Sequence, residues 1–345
     1  MIDRRPVVWV SQPLIEAAIE PLRARVELLT TDRVTRWSPA QLAQRLADVD
    51  GAIVTLNERI GAGQIAAAGR LQVIANVGVG YDNLDVAALA AAGILASNTP
   101  DVLTETTADL GFALLMAAAR RITESERWLR EGRWTQWSFQ TLLGADIHGS
   151  TLGILGMGRI GQAIARRGAH GFGMRVLYHN RSRLPATLEA GAGATYVDLD
   201  TLLAQADHLV LVLPYTPASH HLIDAAALAK MKPSATLVNI ARGGIVDEQA
   251  LAQALGEGRL AAAGLDVYEG EPAVRPELLA LRNVVLTPHI GSASLATRTA
   301  MVRMAVANLL AALGVDGTPA TMPSAINADA ALASRAAPDR GTDKR

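Results

Sequence analysis

Short runs of aliphatic and β-branched residues alternate with alanine-rich helical stretches along most of the chain, in two series. The first series holds VVWV at Val7–Val10, VELL at Val26–Leu29, GAIVT at Gly51–Thr55 and QVIAN at Gln72–Asn76. The second holds TLGILG at Thr151–Gly156, MRVLYHN at Met174–Asn180, HLVLVLP at His208–Pro214, ATLVNI at Ala235–Ile240, AAGLDV at Ala262–Val267 and NVVLTP at Asn283–Pro288. Alternation of this kind builds parallel βαβ units. Strands so uniformly apolar suit a sheet covered by helices on both faces. With 345 residues, half of them apolar, the chain is long enough for two such cores. The expected fold class is α/β, with two Rossmann-like, doubly wound parallel-sheet domains.

Between the two series, a helical stretch from about 103 to 131 opens at the turn SNTPD and the cap-like Thr104 and is expected to cross between the domains. A second long helix, alanine- and methionine-rich, over roughly 294–313 is expected to carry the chain back, making the first domain discontinuous. The organisation that follows is residues 1–101 with about 292–320, then residues 102–291 as the dinucleotide-binding domain. Residues 321–345 carry small residues, proline and a charged end without a helical or strand period, and are expected to be disordered.

A net charge of −1 leaves no electrostatic footprint for nucleic acid or an anionic membrane. No apolar run approaches a bilayer span, and the start, MIDRRPVVWVSQPL, lacks a signal-peptide core, so a cytoplasmic protein is expected. The absence of cysteine excludes disulfides, thiol nucleophiles and thiolate metal sites, and no metal-ligand set is read from the sequence.

The glycines of GMGRIG at Gly156–Gly161 follow an expected strand and open the helical RIGQAIARRGAHG, the context in which this motif cradles a dinucleotide. Gly156 permits the tight turn, Gly158 lets backbone approach a pyrophosphate and Gly161 lets helix and strand pack closely. The helix start offers N–H groups and the positive end of its dipole. About 20 residues on, where an acid would hydrogen-bond a ribose 2′-hydroxyl, stand Asn180, Arg181, Ser182 and Arg183. Guanidiniums and a hydroxyl suit a 2′-phosphate, so NADP(H) is favoured, with NAD(H) as the lesser option.

A nicotinamide supplies hydride but no proton, so ketone reduction needs an acid beside the developing alkoxide. His289, directly after a strand end in VVLTPHIGSAS, stands at the sheet edge where ligands bind in open α/β folds. A carboxylate in LDVYEGEP can hold the imidazole and stabilise its charged form, and composition does not choose between Glu269 and Glu271. Arg242 follows ATLVNI and precedes two glycines; its guanidinium matches a carboxylate bidentately and can polarise a carbonyl.

With these residues in place the sequence resembles the D-isomer-specific 2-hydroxyacid dehydrogenases, over nearly the whole chain to about residue 320. Matching segments include NVGVGYDNLD at Asn76–Asp85, LTETTADL at Leu103–Leu110, TLGILGMGRIGQAIARR, LVLPYTPASHHLI at Leu211–Ile223, KPSATLVNIARGGIVDE, GLDVYEGEP and LTPHIG. YHNRS and GRWTQW make it most similar to the glyoxylate/hydroxypyruvate reductase branch, which includes 2-ketogluconate reductases.

The resemblance implies an active site in the cleft between a flavodoxin-like substrate domain and the dinucleotide domain. It implies Arg242 on the substrate carboxylate and carbonyl, His289 as proton donor and Glu271, rather than Glu269, as its partner. Backbone N–H groups of Val79 and Gly80 would hold the substrate carboxylate, with Leu56 nearby. Asp266 would meet the nicotinamide carboxamide, and Thr107, Arg159, Ile160, Pro214 and Ile240 would line the cofactor. Trp137 would come from the neighbouring subunit of a homodimer. A redox-sensing corepressor on the same scaffold is the alternative, but it needs peptide-motif or regulatory segments that this chain does not add.

Overall fold

Every pairing between strands is parallel, so in each sheet the carboxyl ends of all strands line up along one edge. The computed structural model describes residues 4–315 and 321–336. It divides into two units, residues 1–103 with 294–345 and residues 104–293.

The first unit runs β1 (Val7–Val10), α1 (Glu16–Arg23), β2 (Glu27–Leu29), α2 (Pro39–Ala47), β3 (Gly51–Val54), α3 (Ala62–Ala66), β4 (Val73–Asn76), α4 (Val86–Ala91) and β5 (Leu95–Ser97). Its five strands lie in the order β2-β1-β3-β4-β5. Alternate side chains go to opposite faces. Val8 and Val10 join one buried cluster while Val7 and Trp9 join the other, so the sheet is covered on both sides.

The second unit begins with α5 (Thr104–Ala119) and α6 (Ile122–Arg130). It continues through β6 (Thr151–Leu155), α7 (Arg159–Arg166), β7 (Arg175–His179), α8 (Ala186–Ala192), β8 (Ala194–Tyr196), α9 (Leu199–Gln205) and β9 (His208–Leu211). The remaining elements are α10 (Ala225–Lys230), β10 (Thr236–Asn239), α11 (Glu248–Gly256), β11 (Ala262–Leu265), α12 (Pro276–Ala280) and β12 (Val284–Leu286). Its seven strands lie in the order β12-β11-β10-β9-β6-β7-β8. The order reverses beside β6, and that switch point is where doubly wound sheets open a crevice for a ligand. The chain then returns to the first unit as α13 (Leu295–Leu313), packed against α1 and β4, and ends its described part with α14 (Ala328–Ala336).

Three details differ from the sequence-based expectation. The sheets gain two short edge strands, β5 and β8, whose sequences LAS and ATY carry no aliphatic run. The stretch expected as one helix over 103–131 is two, broken where Arg121 takes a left-handed backbone, φ 53°. Ala145 donates to the carbonyl of Ala119 at 2.9 Å, and Arg121 Nη1 donates to that of Leu143 at 3.2 Å, so the following loop takes over the helix end.

The third difference is the expected disordered tail, which does not hold for residues 321–336. Asn327 bonds the N–H of Ala96 at 2.8 Å and the carbonyl of Ile94 at 2.9 Å, Ile326 donates to Ala96 at 2.9 Å, and Arg335 Nε donates to Gly93 at 2.6 Å. The segment covers the open edge of β5, whose unpaired backbone groups would otherwise face solvent. Residues 316–320 and 337–345 lie outside the described residues.

Candidate active site

Because the second sheet is fully parallel, the residues singled out in the sequence after six different strands converge on one edge. The glycine turn follows β6, Asn180–Arg183 follow β7 and Pro214 follows β9. Ile240 and Arg242 follow β10, Asp266 and Glu271 follow β11, and His289 follows β12.

The glycine turn is built for close approach. Gly156 sits at φ 101°, and a Cβ there would lie 2.7 Å from the backbone of Val212; at Gly161 a Cβ would meet the carbonyl oxygen of Gly156 at 2.3 Å. Gly158 differs: no protein atom lies within 4 Å of where its Cβ would be, so its bareness serves an open space rather than packing. That open cradle stands at the N-terminus of α7, where backbone donors and the helix dipole suit a pyrophosphate. Arg159 and Ile160 form the first turn of α7, and Thr107 on α5 is buried against Gly291. The residues present fit a dinucleotide.

Beyond β7, the four residues expected to choose the cofactor have distinct jobs. Asn180 Oδ1 accepts from the N–H of Met157 at 2.7 Å, pinning the glycine turn. Arg183 is held bidentately by Glu189 of α8, with Nε 2.9 Å from Oε1 and Nη2 2.8 Å from Oε2. Glu189 also accepts from Tyr178 at 2.7 Å. Burial and that carboxylate push the Tyr178 hydroxyl up to about 12, so it stays a donor. Arg181 and Ser182 are exposed. Of the two guanidiniums, Arg183 is already paired with a carboxylate and Arg181 is the one displayed.

His289 lies 2.8 Å through Nδ1 from Glu271 Oε2, and each side chain is about three-quarters buried, 28% and 26% exposed. The other Glu271 oxygen accepts from the N–H of Tyr268 at 3.0 Å. Burial opposes ionisation of Glu271, but the His289 hydrogen bond and charge, the Tyr268 N–H and the Arg242 charge outweigh it. Together they hold this carboxyl below its ordinary range. Glu269, the sequence neighbour that composition did not separate from it, bonds His221 instead, at 3.2 Å.

The histidine's backbone is set with equal care. His289 has φ 52°, a left-handed conformation that needs local support. Its N–H donates to the carbonyl of Asp266 at 2.8 Å. The Asp266 carboxylate, 1% exposed, accepts from Thr287 Oγ1 at 2.7 Å and from the N–H groups of Ile290 and Gly291, each at 2.8 Å. Burial raises the Asp266 carboxyl against these bonds. Asp266 thus anchors the His289 loop, a role that its expected contact with a nicotinamide carboxamide did not suggest.

Arg242 extends from a tight turn whose carbonyl is held by Asn239 Nδ2 at 2.9 Å, with its Nη1 donating to Ala241 at 2.8 Å. A Cβ on Gly243 would lie 1.8 Å from the carbonyl carbon of Tyr268. Only glycine lets the Arg242 turn press against the segment that carries Glu271.

In the first unit, Val79 and Gly80 lie in the loop after β4. The peptide planes that carry their N–H groups are held through the preceding carbonyls, that of Gly78 accepting from the N–H of Thr99 at 2.9 Å and that of Val79 from Asn98 Nδ2 at 2.8 Å. Leu56, after β3, is 40% exposed. Trp137 is 68% exposed on an irregular segment of the second unit, its ring edge against Phe139 at 4.7 Å, and it belongs to no core cluster among the described residues. Trp134 and Leu143 on the same segment are exposed too.

Comparison with known proteins identifies the family. Residues 112–291 match the profile of the D-isomer specific 2-hydroxyacid dehydrogenase NAD-binding domain. A glyoxylate reductase of Thermococcus onnurineus is 46% identical over 311 residues, covering 89% of this chain and 92% of that protein. A glyoxylate/hydroxypyruvate reductase B of Erwinia tasmaniensis is 53% identical over 245 residues, 71% of this chain and 76% of that one. Among solved structures, the NADPH-dependent glyoxylate/hydroxypyruvate reductase of Sinorhizobium meliloti, crystallised with NADP and malonate, superposes with a TM-score of 0.82 at 36% identity. It covers 93% of this chain and 97% of that one.

Proposed function

The chain belongs to the D-isomer-specific 2-hydroxyacid dehydrogenase family and is an NAD(P)-dependent oxidoreductase, and from that premise we propose that it reduces short 2-keto acids, glyoxylate and hydroxypyruvate first among them, to D-2-hydroxy acids. The observation that carries this reading is the 2.8 Å His289–Glu271 pair, set beside Arg242 on the sheet edge that carries the glycine cradle. A nicotinamide dinucleotide held at the Gly156–Gly161 cradle would supply the hydride for the carbonyl carbon. His289 delivers the proton to the developing alkoxide through Nε2, while Glu271 fixes the ring through Nδ1 and stabilises its charged form. Arg242 binds the carboxylate and polarises the carbonyl. The N–H groups of Val79 and Gly80 are the further carboxylate donors we propose, with Leu56 beside the substrate. In this reading residues 1–103 with 294–345 form the substrate unit.

NADPH is the preferred cofactor in this proposal. No carboxylate stands in the turn at Asn180–Arg183 to repel a 2′-phosphate, and Arg181 is exposed there with Ser182. Arg183, neutralised by Glu189, adds less than its charge alone suggests. The exposed Trp134, Trp137, Phe139 and Leu143 support a homodimer in which this segment, Trp137 included, closes the partner's site. Initial rates over a panel of short 2-keto acids test the proposal, and folded protein that oxidises neither NADPH nor NADH with any of them removes it.

A further inference from the structure

The loop after β9 and the loop after β11 meet at His220, His221 and Glu269, a trio the reductase reading does not use. One ligand atom from each residue lies within 4.8 Å of the others. Neighbours in an extended chain point to opposite sides, yet these two histidines stack, ring centroids 3.9 Å apart and 22° from parallel. The cause is His221, at φ 49°, whose N–H donates to the carbonyl of Gly244 at 2.8 Å. Histidine is among the residues that tolerate this left-handed backbone.

We propose that His220, His221 and Glu269 bind a divalent transition-metal cation, Zn²⁺ being the best match, and so clasp the two loops together. Tetrahedral zinc holds nitrogen and oxygen ligands at about 2.0–2.2 Å, which sets neighbouring ligands about 3.3 Å apart. His221 Nε2 and Glu269 Oε2 already stand 3.2 Å apart, the length of one edge of that tetrahedron. The exposed His220 closes the remaining distance by side-chain rotation. The Tyr215 hydroxyl lies 3.1 Å from His220 Nδ1, where its oxygen can accept a hydrogen bond from Nδ1–H and leave the Nε2 lone pair for the metal. Metal-bound histidines commonly have such a partner on the second nitrogen. Two imidazoles, one carboxylate and a fourth position for water form a ligand set that zinc takes.

The clasp reaches toward the candidate active site. The Glu269 N–H donates to the buried Glu248 at 2.6 Å, and Glu269 is two residues before Glu271. Fixing the Glu269 side chain therefore fixes the backbone between Tyr268 and Glu271.

Cobalt(II), a spectroscopic stand-in for zinc, tests this on the full chain stripped with chelator and free of any histidine tag. Titration with Co²⁺ is expected to give one equivalent per chain with visible absorption of a low-coordinate site, displaced by stoichiometric Zn²⁺. Affinity should fall at least tenfold in His220→Ala and in His221→Asn, the asparagine keeping a residue that accepts the left-handed backbone. His289→Asn should leave it unchanged. Saturating Zn²⁺ should raise the thermal midpoint of the unsubstituted protein and not that of folded His220→Ala. No low-coordinate band, or a band that survives both loop substitutions, overturns the proposal, as does a band lost in His289→Asn. None of these readouts requires the keto-acid assignment to hold.

Discussion

The turn after β7 and the segments after β11 and β12 lie on the same sheet edge, yet they are built in opposite ways. His289 is three-quarters buried, its backbone held in a left-handed conformation by Asp266, and its ring held by Glu271. Arg181 and Ser182 sit exposed at the end of β7. The first region fixes geometry in advance, as the proposed proton transfer demands. The second displays the Arg181 guanidinium on a long side chain, which suits the proposed recognition of a cofactor's far end and tolerates exchange. Chemistry should therefore be brittle and cofactor choice tunable.

The largest effect expected from this contrast is at His289. His289→Ala should lower kcat on the order of 10²–10⁴-fold, as for loss of a general acid. His289→Asn keeps a residue suited to φ 52° and should lose nearly as much, showing that the loss is chemical rather than conformational. Near-normal kcat in either variant, measured by steady-state kinetics, would place the proton donor elsewhere.

Arg242→Ala should lower kcat/KM for a keto acid by about 10–10²-fold, the cost of a lost charged hydrogen bond. Cofactor affinity, followed by NADPH fluorescence, should barely move. Equal losses in both would make Arg242 a support of the fold instead.

The tunable side is probed by replacing Asn180 with Asp and Arg181 with Ala together. An aspartate can still accept from the N–H of Met157, so the glycine turn should survive while the ribose end meets a negative charge. A preference of about tenfold for NADPH in kcat/KM should reverse. A double variant that keeps the original order shows that the turn does not select.

The smallest shift expected is in the pH profile of Glu271→Gln. An imidazolium deprived of its carboxylate loses its proton more easily, so the alkaline limb of reduction, where the proton donor is lost, should move to lower pH. The same pair makes a stability statement. The folded Glu271 carboxyl lies below its ordinary range, so its contribution is present above that range and is lost as pH falls through the lowered value. The gap in thermal midpoint between unsubstituted protein and the glutamine variant should close only under acid.

Much of this was legible in the chain because apolar strands announce themselves. All ten aliphatic runs became strands, and a parallel sheet places whatever follows them on one edge. The edge strands Leu95–Ser97 and Ala194–Tyr196 were not legible, being three residues long with no run of β-branched or large aliphatic residues. Nor was the break at Arg121, since a left-handed arginine leaves no mark as glycine would. The helix Ala328–Ala336 was hidden in a tail of loop-like composition, and its warrant is the β5 edge it covers, more than 200 residues earlier in the chain.

Within the site, Arg242 and His289 were found by residue type after strand ends, whereas Glu271 was separated from Glu269 only by the family resemblance. The bonds from Asp266 to Ile290 and Gly291 were not found, because backbone donors carry no sequence signature. The Arg183–Glu189 pair was equally hidden, spanning a loop and the first turn of α8. An alternating acid and arginine six residues apart is too common to read.

The most direct test of the whole account is the product formed from hydroxypyruvate. Purified protein supplied with NADPH and hydroxypyruvate, glyoxylate, 2-ketogluconate, pyruvate or phosphohydroxypyruvate should oxidise the cofactor with at least one of the first two, and chiral analysis should find only D-glycerate from hydroxypyruvate. Folded, NADPH-binding protein that turns over none of the five, or that yields L-glycerate, would contradict it.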